Sequence, residues 1–411
     1  MGGCGSATSV VEVHVADVSR IENAPNLQAD ERDWPWWRGP QQDGVAVSAA
    51  PLKWGENQNV RWMTQVPGRG HASPCVYGKH VFIATADDGQ QTQSLLCYDR
   101  ADGGLRWTCR AHQGGFMHMH HHNTHASATP ACDGQRVYCV FMVHDGVWAT
   151  AVDFEGNIVW QKQVGGFVSM HGYGSSPALY KSLVIVQGDN SGGGFLAALH
   201  VDTGEIAWKV RRANAANFGT PVVARVAGRD QLLLNGQGKV SSYNPATGEL
   251  LWASEGPSEY AANSVAWNDE LVFASGGYPE RSVMAIKADG SGEVVWRIDR
   301  TKSYVPSPLA LGDRLLVIQD DGIANLLDAA TGESLWTQRL GDNFYASPVL
   351  AGECVYLPNR SGKMLVFKAG AKYVPVAENF LSGGGEASPA ICGGQIFIRT
   401  TSRLYCIGDS T

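Results

Sequence analysis

Apolar and polar positions along this chain fall into one recurring phrase: Ser-Pro, a short apolar strand, a turn, then a second apolar strand. The phrase appears at Ser73-Pro74, Thr129-Pro130, Ser176-Pro177, Thr220-Pro221, Ser307-Pro308, Ser347-Pro348 and Ser388-Pro389, and Ser264-Val265 fills the gap where the proline is lost. A second phrase, a turn residue and Gly followed three or four positions on by Trp, ends at Trp107, Trp160, Trp208, Trp252, Trp296 and Trp336. These tryptophans are 53, 48, 44, 44 and 40 residues apart, the length of four short antiparallel strands with their turns. Each unit predicts one propeller blade, and the eight copies of the first phrase predict eight blades.

The ends of the pattern predict how the ring closes. Trp62 stands 45 residues before Trp107 with no strand ahead of it, and Arg403 to Gly408 reads as a third strand lacking a fourth. If residues 59–66 supply that fourth strand, no gap is left between first and last blades. The unit after Trp336 keeps its frame but carries Val376 at the Trp place.

The residue types suit these places. Proline is tolerated at the first residue of a strand, where its missing N–H costs little. Gly supplies positive φ in the turn before the outer strand. A Trp buried between neighbouring sheets contributes about 2–3 kcal/mol, so packing, not ligand stacking, is the expected role of the repeat tryptophans.

Composition changes the picture by exclusion. A chain of 411 residues exceeds one ordinary core, and 17% charged residues with 49 Gly, 18 Pro and 13 Trp exclude an all-helical bundle. The net charge of −7 leaves no positive surplus for a nucleic-acid backbone. No apolar run approaches the roughly 18–20 residues needed to cross a bilayer.

The stretches Leu199-His200-Val201-Asp202-Thr203-Gly204-Glu205-Ile206-Ala207-Trp208 and Leu327-Asp328-Ala329-Ala330-Thr331-Gly332-Glu333-Ser334-Leu335-Trp336 nearly match the docking motif Ala-x-Asp-x-x-Thr-Gly-x-x-x-Trp. Over about residues 34–409 the repeat resembles the pyrroloquinoline-quinone-like eight-bladed propeller family, and its short length looks most like the non-enzymatic BamB-like branch. That resemblance implies an all-β ring of four-stranded antiparallel blades and a scaffold role. The quinone dehydrogenases of the same superfamily use a vicinal Cys-Cys pair and a calcium site on much longer chains. Neither the pair nor a matching Asp base or calcium triad is found here, so pyrroloquinoline quinone is not an expected cofactor. No GxSxG elbow, Gly-Lys-Ser phosphate loop or HExxH helix is present.

Residues 1–32 carry no repeat and read as a flexible tether, residues 33–58 as a Trp-rich docking segment, and residues 59–411 as the propeller. Gly2-Gly3-Cys4 resembles the end of a bacterial lipoprotein signal, although the preceding apolar stretch is missing; an ordinary tail cysteine is the alternative. Of the nine cysteines, Cys97 and Cys109 flank the Asp102-Gly103-Gly104 turn and are candidates for a disulfide across two strands. Cys75, Cys132, Cys139, Cys354, Cys392 and Cys406 lie in apolar phrases and read as buried thiols, and no CxxC pair argues for structural zinc.

One segment departs from the repeat and accounts for the longest spacing: Met117, His118, Met119, His120, His121, His122 and His125 lie within nine residues. Links from an outer strand to the next inner strand return to the axis, so residues just before each Ser-Pro ring the channel mouth. His71 precedes one such phrase, and Met170 and His171 precede another; the remaining blades offer Asn217, Tyr260, Tyr304, Tyr345 and Glu386 at similar offsets. Imidazole suits zinc, copper and nickel, and thioether sulfur beside it favours copper. The expected protein is an extracytoplasmic scaffold, monomeric and lipid-tethered if Cys4 is acylated, which binds a ligand or a protein or peptide partner at the mouth. The competing expectation is a copper- or zinc-binding propeller or metalloenzyme centred on residues 117–125 with His71 and His171.

Overall fold

The structure, a computed structural model, describes residues 11–13, 18–168, 171–299, 301 and 303–408, so Cys4 and Met170 lie outside the described residues. Eight antiparallel sheets of four repeat strands each stand around one axis. In chain order, blades 1 to 7 take residues 75–113, 131–166, 178–211, 222–255, 266–299, 309–339 and 349–380. Blade 8 takes three strands from residues 390–407, and its outermost strand is Val60–Gln65, paired antiparallel with Arg403–Ile407. The expected closure and blade count are therefore the observed ones.

The entry to each innermost strand explains the Ser of the Ser-Pro phrase. The amide of that residue faces the neighbouring blade, not a strand of its own sheet, and an unpaired buried amide is costly. The next blade's hydroxyl answers it. Ser73 N–H donates to Thr129 Oγ1, Thr129 to Ser176 Oγ and Ser176 to Thr220 Oγ1, each at 2.9 Å. Ser264 donates to Ser307 at 3.0 Å, Ser307 to Ser347 at 2.9 Å and Ser347 to Ser388 at 2.8 Å. Between the two runs, Ser264 Oγ instead donates to the Thr220 carbonyl at 3.1 Å and accepts Trp37 Nε1–H at 3.1 Å. Proline follows well because it brings no further N–H that needs a partner.

Farther from the axis, the tryptophans link blade to blade. The indole N–H of Trp62, Trp107, Trp160, Trp208, Trp296 and Trp336 donates to a carbonyl of the following blade, at Arg100, Phe154, Val201, Pro245, Ala329 and Gly370 respectively. The ring lies over the following blade's turn glycine. At Gly103 (φ +73°) and Gly204 (φ +69°) an added Cβ would meet the indole of Trp62 or Trp160 at 2.5 Å. Glycine is thus required for close approach as well as for its positive φ. Trp252 differs, donating to Gln231 of its own blade. At blade 7, Val376 and Trp54 of the N-terminal segment pack into one apolar cluster, and Trp54 stacks on Tyr356.

Residues 31–58 cross the axis at the end marked by the turns between first and second strands. Trp34 bridges Val76 of blade 1, the Pro35 carbonyl accepts from Cys132 of blade 2, and Gln42 accepts from Val223 of blade 4. Arg38 donates to Pro308 of blade 6 at 2.9 Å, and Val45–Ala46 runs parallel to the inner strand of blade 7. Farther upstream, Val11–Val13 pairs with the outer strand of blade 3, and the helix Val18–Glu22 buries Ile21.

The candidate disulfide between Cys97 and Cys109 is corrected by register. The hairpin turns over residues 99–104 and pairs Tyr98 with Leu105, which leaves Cys97 opposite Trp107 and Cys109 opposite Leu95, so the thiols are not partners across the hairpin, and both are free. The other six described cysteines are free and buried as expected.

Two predictions follow from the links. Ser347→Ala strands the buried Ser307 N–H and should lower the unfolding free energy by about 1–3 kcal/mol. Ser73→Ala removes a hydroxyl that makes no hydrogen bond and should change little. Equal losses in urea denaturation of the two variants would refute this role for the hydroxyls. Ending the chain after Thr401 removes the partner of Val60–Gln65 and should lower Tm sharply and cause aggregation, as seen by light scattering; an unchanged melt contradicts closure by that pair.

Candidate binding mouth and its histidine segment

Links between blades open at the end of the ring opposite residues 31–58 and surround a recess of about 550 Å³. His71, His120, His122, His171, Tyr304, Tyr345 and Glu386 line it, together with Asn123, Phe218 and Asp320. The structure therefore brings seven of the expected mouth residues to one cavity. Asn217 is buried behind the wall, where its Oδ1 accepts from the Phe218 and Gly219 amides, and Phe218 takes the lining place. Tyr260 lies against Tyr278, outside the lining.

Asp320 and Arg360 were not legible from the links because both sit in turns between second and third strands, which open to the same end. Asp320 accepts from the amides of Tyr304 at 2.9 Å and Val305 at 3.0 Å, fixing that link. The Arg360 guanidinium lies 4.4 Å from the Tyr345 ring centroid and pairs with Glu386 at 2.7 Å. The corresponding turns, Asp320-Asp321-Gly322 and Arg360-Ser361-Gly362, are the signal that a repeat-by-repeat comparison offers. A wider groove of about 1070 Å³ lies on the opposite face between blades 5, 6 and 7, but it holds none of the expected residues.

The histidine segment divides into a foot and a head. At the foot, His125 is a structural staple: its ring stacks on Phe116 at 3.9 Å, with Nδ1 2.9 Å from Asp88 and Nε2 3.0 Å from the Met117 carbonyl. Met117 is partly buried against the apolar cluster shared by blades 2 and 3, and Met119 packs beside Gly172. His118 is exposed outside the lining. At the head, nitrogens of His120, His121 and His122 lie within 4.8 Å of one another, and the His171 ring centroid is 5.7 Å from that of His120. His71 stands apart from this group, its Nδ1 3.7 Å from Glu386.

Burial drives the His71 pKa down to about 3, and Arg399, Arg69 and Arg360 add to the shift. Burial also raises the Glu386 pKa, opposed by Arg360. His71 is therefore neutral near pH 7. Because the unfolded chain binds its proton near pH 6.5 and the folded chain only near pH 3, this imidazole's contribution is complete above about pH 6.5 and is lost as pH falls toward 3. His71→Gln should flatten the fall in stability over that window in pH-resolved denaturation. An identical slope would show that His71 does not titrate there.

The mouth does not fit a quinone held by a vicinal cysteine pair. None of the nine cysteines is adjacent to another, and the eight described ones are buried outside the mouth lining.

Comparison with solved structures agrees on the ring. BamB from Moraxella catarrhalis matches with a TM-score of 0.61 at 14% identity, covering 84% of this chain and 98% of that one. A europium-containing methanol dehydrogenase matches at 0.68 and 10% identity, covering 96% and 100%. At these identities the likeness shows the fold alone. In sequence, an outer membrane protein assembly factor BamB of Legionella pneumophila (strain Paris) is 25% identical over 200 residues, 46% of this chain and 49% of the relative. One of Burkholderia pseudomallei (strain K96243) is 26% identical over 189 residues, 43% and 47%. The chain spans about half the length of these curated relatives. A family model described as outer membrane protein assembly factor BamB matches residues 52–141, 91–338 and 261–411, so the Trp-docked eight-bladed ring is that of a member, and the chain belongs to this BamB family.

Proposed function

We propose that this protein is an extracytoplasmic binding and scaffold propeller that serves outer-membrane protein assembly by holding a protein partner at the mouth. Membership in the BamB family is the observation that carries this reading. The chemistry of the mouth supports it. Tyr304, Tyr345 and Phe218 offer broad aromatic surface, and His71, Asn123 and Glu386 offer polar groups around it, a combination suited to a polypeptide segment. Residues 31–58 close the other end of the channel, so a segment enters from one side. No helix among the described residues is long and apolar enough to cross a membrane, and acylation of Cys4 would supply the attachment. In this reading the propeller is a monomer and binds without catalysing a reaction.

Photo-crosslinking tests the reading directly. A crosslinking amino acid placed at Tyr304 or Tyr345 should capture an outer-membrane assembly protein from envelope extracts, whereas one at exposed Leu250 on an outer strand should not. Capture only from Leu250 moves the contact off the mouth, and capture of no envelope protein from any site overturns the scaffold reading.

A further inference from the structure

The head of the histidine segment forms a donor set beyond what peptide binding requires. We propose that His120, His121 and His122, joined by His171 from the next inter-blade link, bind one late first-row transition-metal ion, Zn²⁺ or Cu²⁺, at the rim of the mouth. Three imidazoles converge on one point: a nitrogen of each lies within 4.8 Å of the others. Two nitrogens on one ion, each about 2.0–2.1 Å from it, are at most about 4.2 Å apart, so small rotations of exposed rings complete the site. His121 and His122 are exposed and free to make them.

The fourth imidazole comes from a different repeat. The Asn123 side-chain amide donates to the His171 carbonyl at 2.8 Å, which ties the turn carrying the three histidines to the link carrying the fourth. Asn123 Oδ1 in turn accepts from Thr124 N–H at 2.8 Å and Ser127 Oγ–H at 2.6 Å. The His125 staple anchors the far side of the same loop. A histidine run on a free tail must order itself to bind, whereas this one is held at both ends before an ion arrives.

Local charge is permissive. The cation facing His122 is Arg360, and Glu386 neutralises it at 2.7 Å. Desolvation and neighbouring imidazoles lower the pKa of His120 and His122 from the ordinary imidazole value, in the direction of the neutral form that a metal takes. Ligation by His120 costs little, since its Nδ1 accepts only a long hydrogen bond of 3.2 Å from the His122 amide. Imidazole donors without a thiolate select ions of the zinc and copper type over calcium or magnesium. An ion held this way rivets the loop ahead of blade 2 to the link ahead of blade 3.

Equilibrium dialysis of the full chain against Zn²⁺ and, separately, Cu²⁺, followed by metal analysis, tests the site. Uptake of one ion per chain of either metal, with a rise in Tm, is expected; uptake of neither overturns the proposal. His171→Ala should weaken binding at least tenfold and the double variant His120→Ala, His122→Ala at least a hundredfold, while His200→Ala on the third strand of blade 3 retains full affinity. His171→Gln, which preserves size, is measured alongside in case the alanine variant is unfolded. Equal affinity in the His171 variants, or equal binding by the urea-unfolded chain, would reduce the site to a flexible chelator and overturn it.

Discussion

The hydrogen bond from the first amide of an inner strand to the hydroxyl of the next blade is the interaction on which the rest of this ring depends. An innermost strand has a neighbour from its own blade on one side only, and its entry amide is buried away from water. A Ser or Thr at the same place in the following repeat supplies the acceptor, so one residue type serves at every blade and each blade satisfies its predecessor. The chain departs from this rule at two junctions. Between Thr220 and Ser264, Trp37 from the N-terminal segment engages the hydroxyl instead. At the seam of blades 8 and 1, buried Arg399 donates across to the carbonyls of Ala72 and Ala84, and the Trp62 indole reaches the Arg100 carbonyl.

Those junctions show why the N-terminal segment belongs to the ring. Its backbone and side chains reach blades 1, 2, 4, 5, 6 and 7 within residues 34–46, and Val60–Gln65 then completes blade 8. Closing one end leaves a recess rather than a pore. The recess therefore opens at the opposite end, where the inter-blade links and the turns between second and third strands meet.

At that end the repeat is least regular. Blade-to-blade links are free to vary because the hydroxyl and tryptophan contacts that hold the ring lie beneath them. The histidine insertion exploits that freedom, and its two parts have separate duties: His125 and Asn123 fix the loop, while His120, His121 and His122 face solvent and the recess.

By itself, the sequence determined the blade count, the closure by residues 59–66 and the packing role of the tryptophans, because each is written once per repeat and period survives without coordinates. It also placed His71, His171, Tyr304, Tyr345 and Glu386 at one mouth, since equivalent links approach the same axis. Register and side-chain direction were decided only by tertiary structure. The offset turn of the hairpin, which pairs Tyr98 with Leu105, kept Cys97 from facing Cys109, and Asn217 turned its side chain onto the Phe218 amide, leaving Phe218 on the lining. Asp320 and Arg360 entered from turns far away in sequence, and His125 was drawn out of the histidine run by Asp88 and Phe116. The physical reason is the same in each case: a repeat fixes where a residue's backbone lies around the ring, but which neighbour its side chain meets depends on contacts between segments that no local spacing encodes.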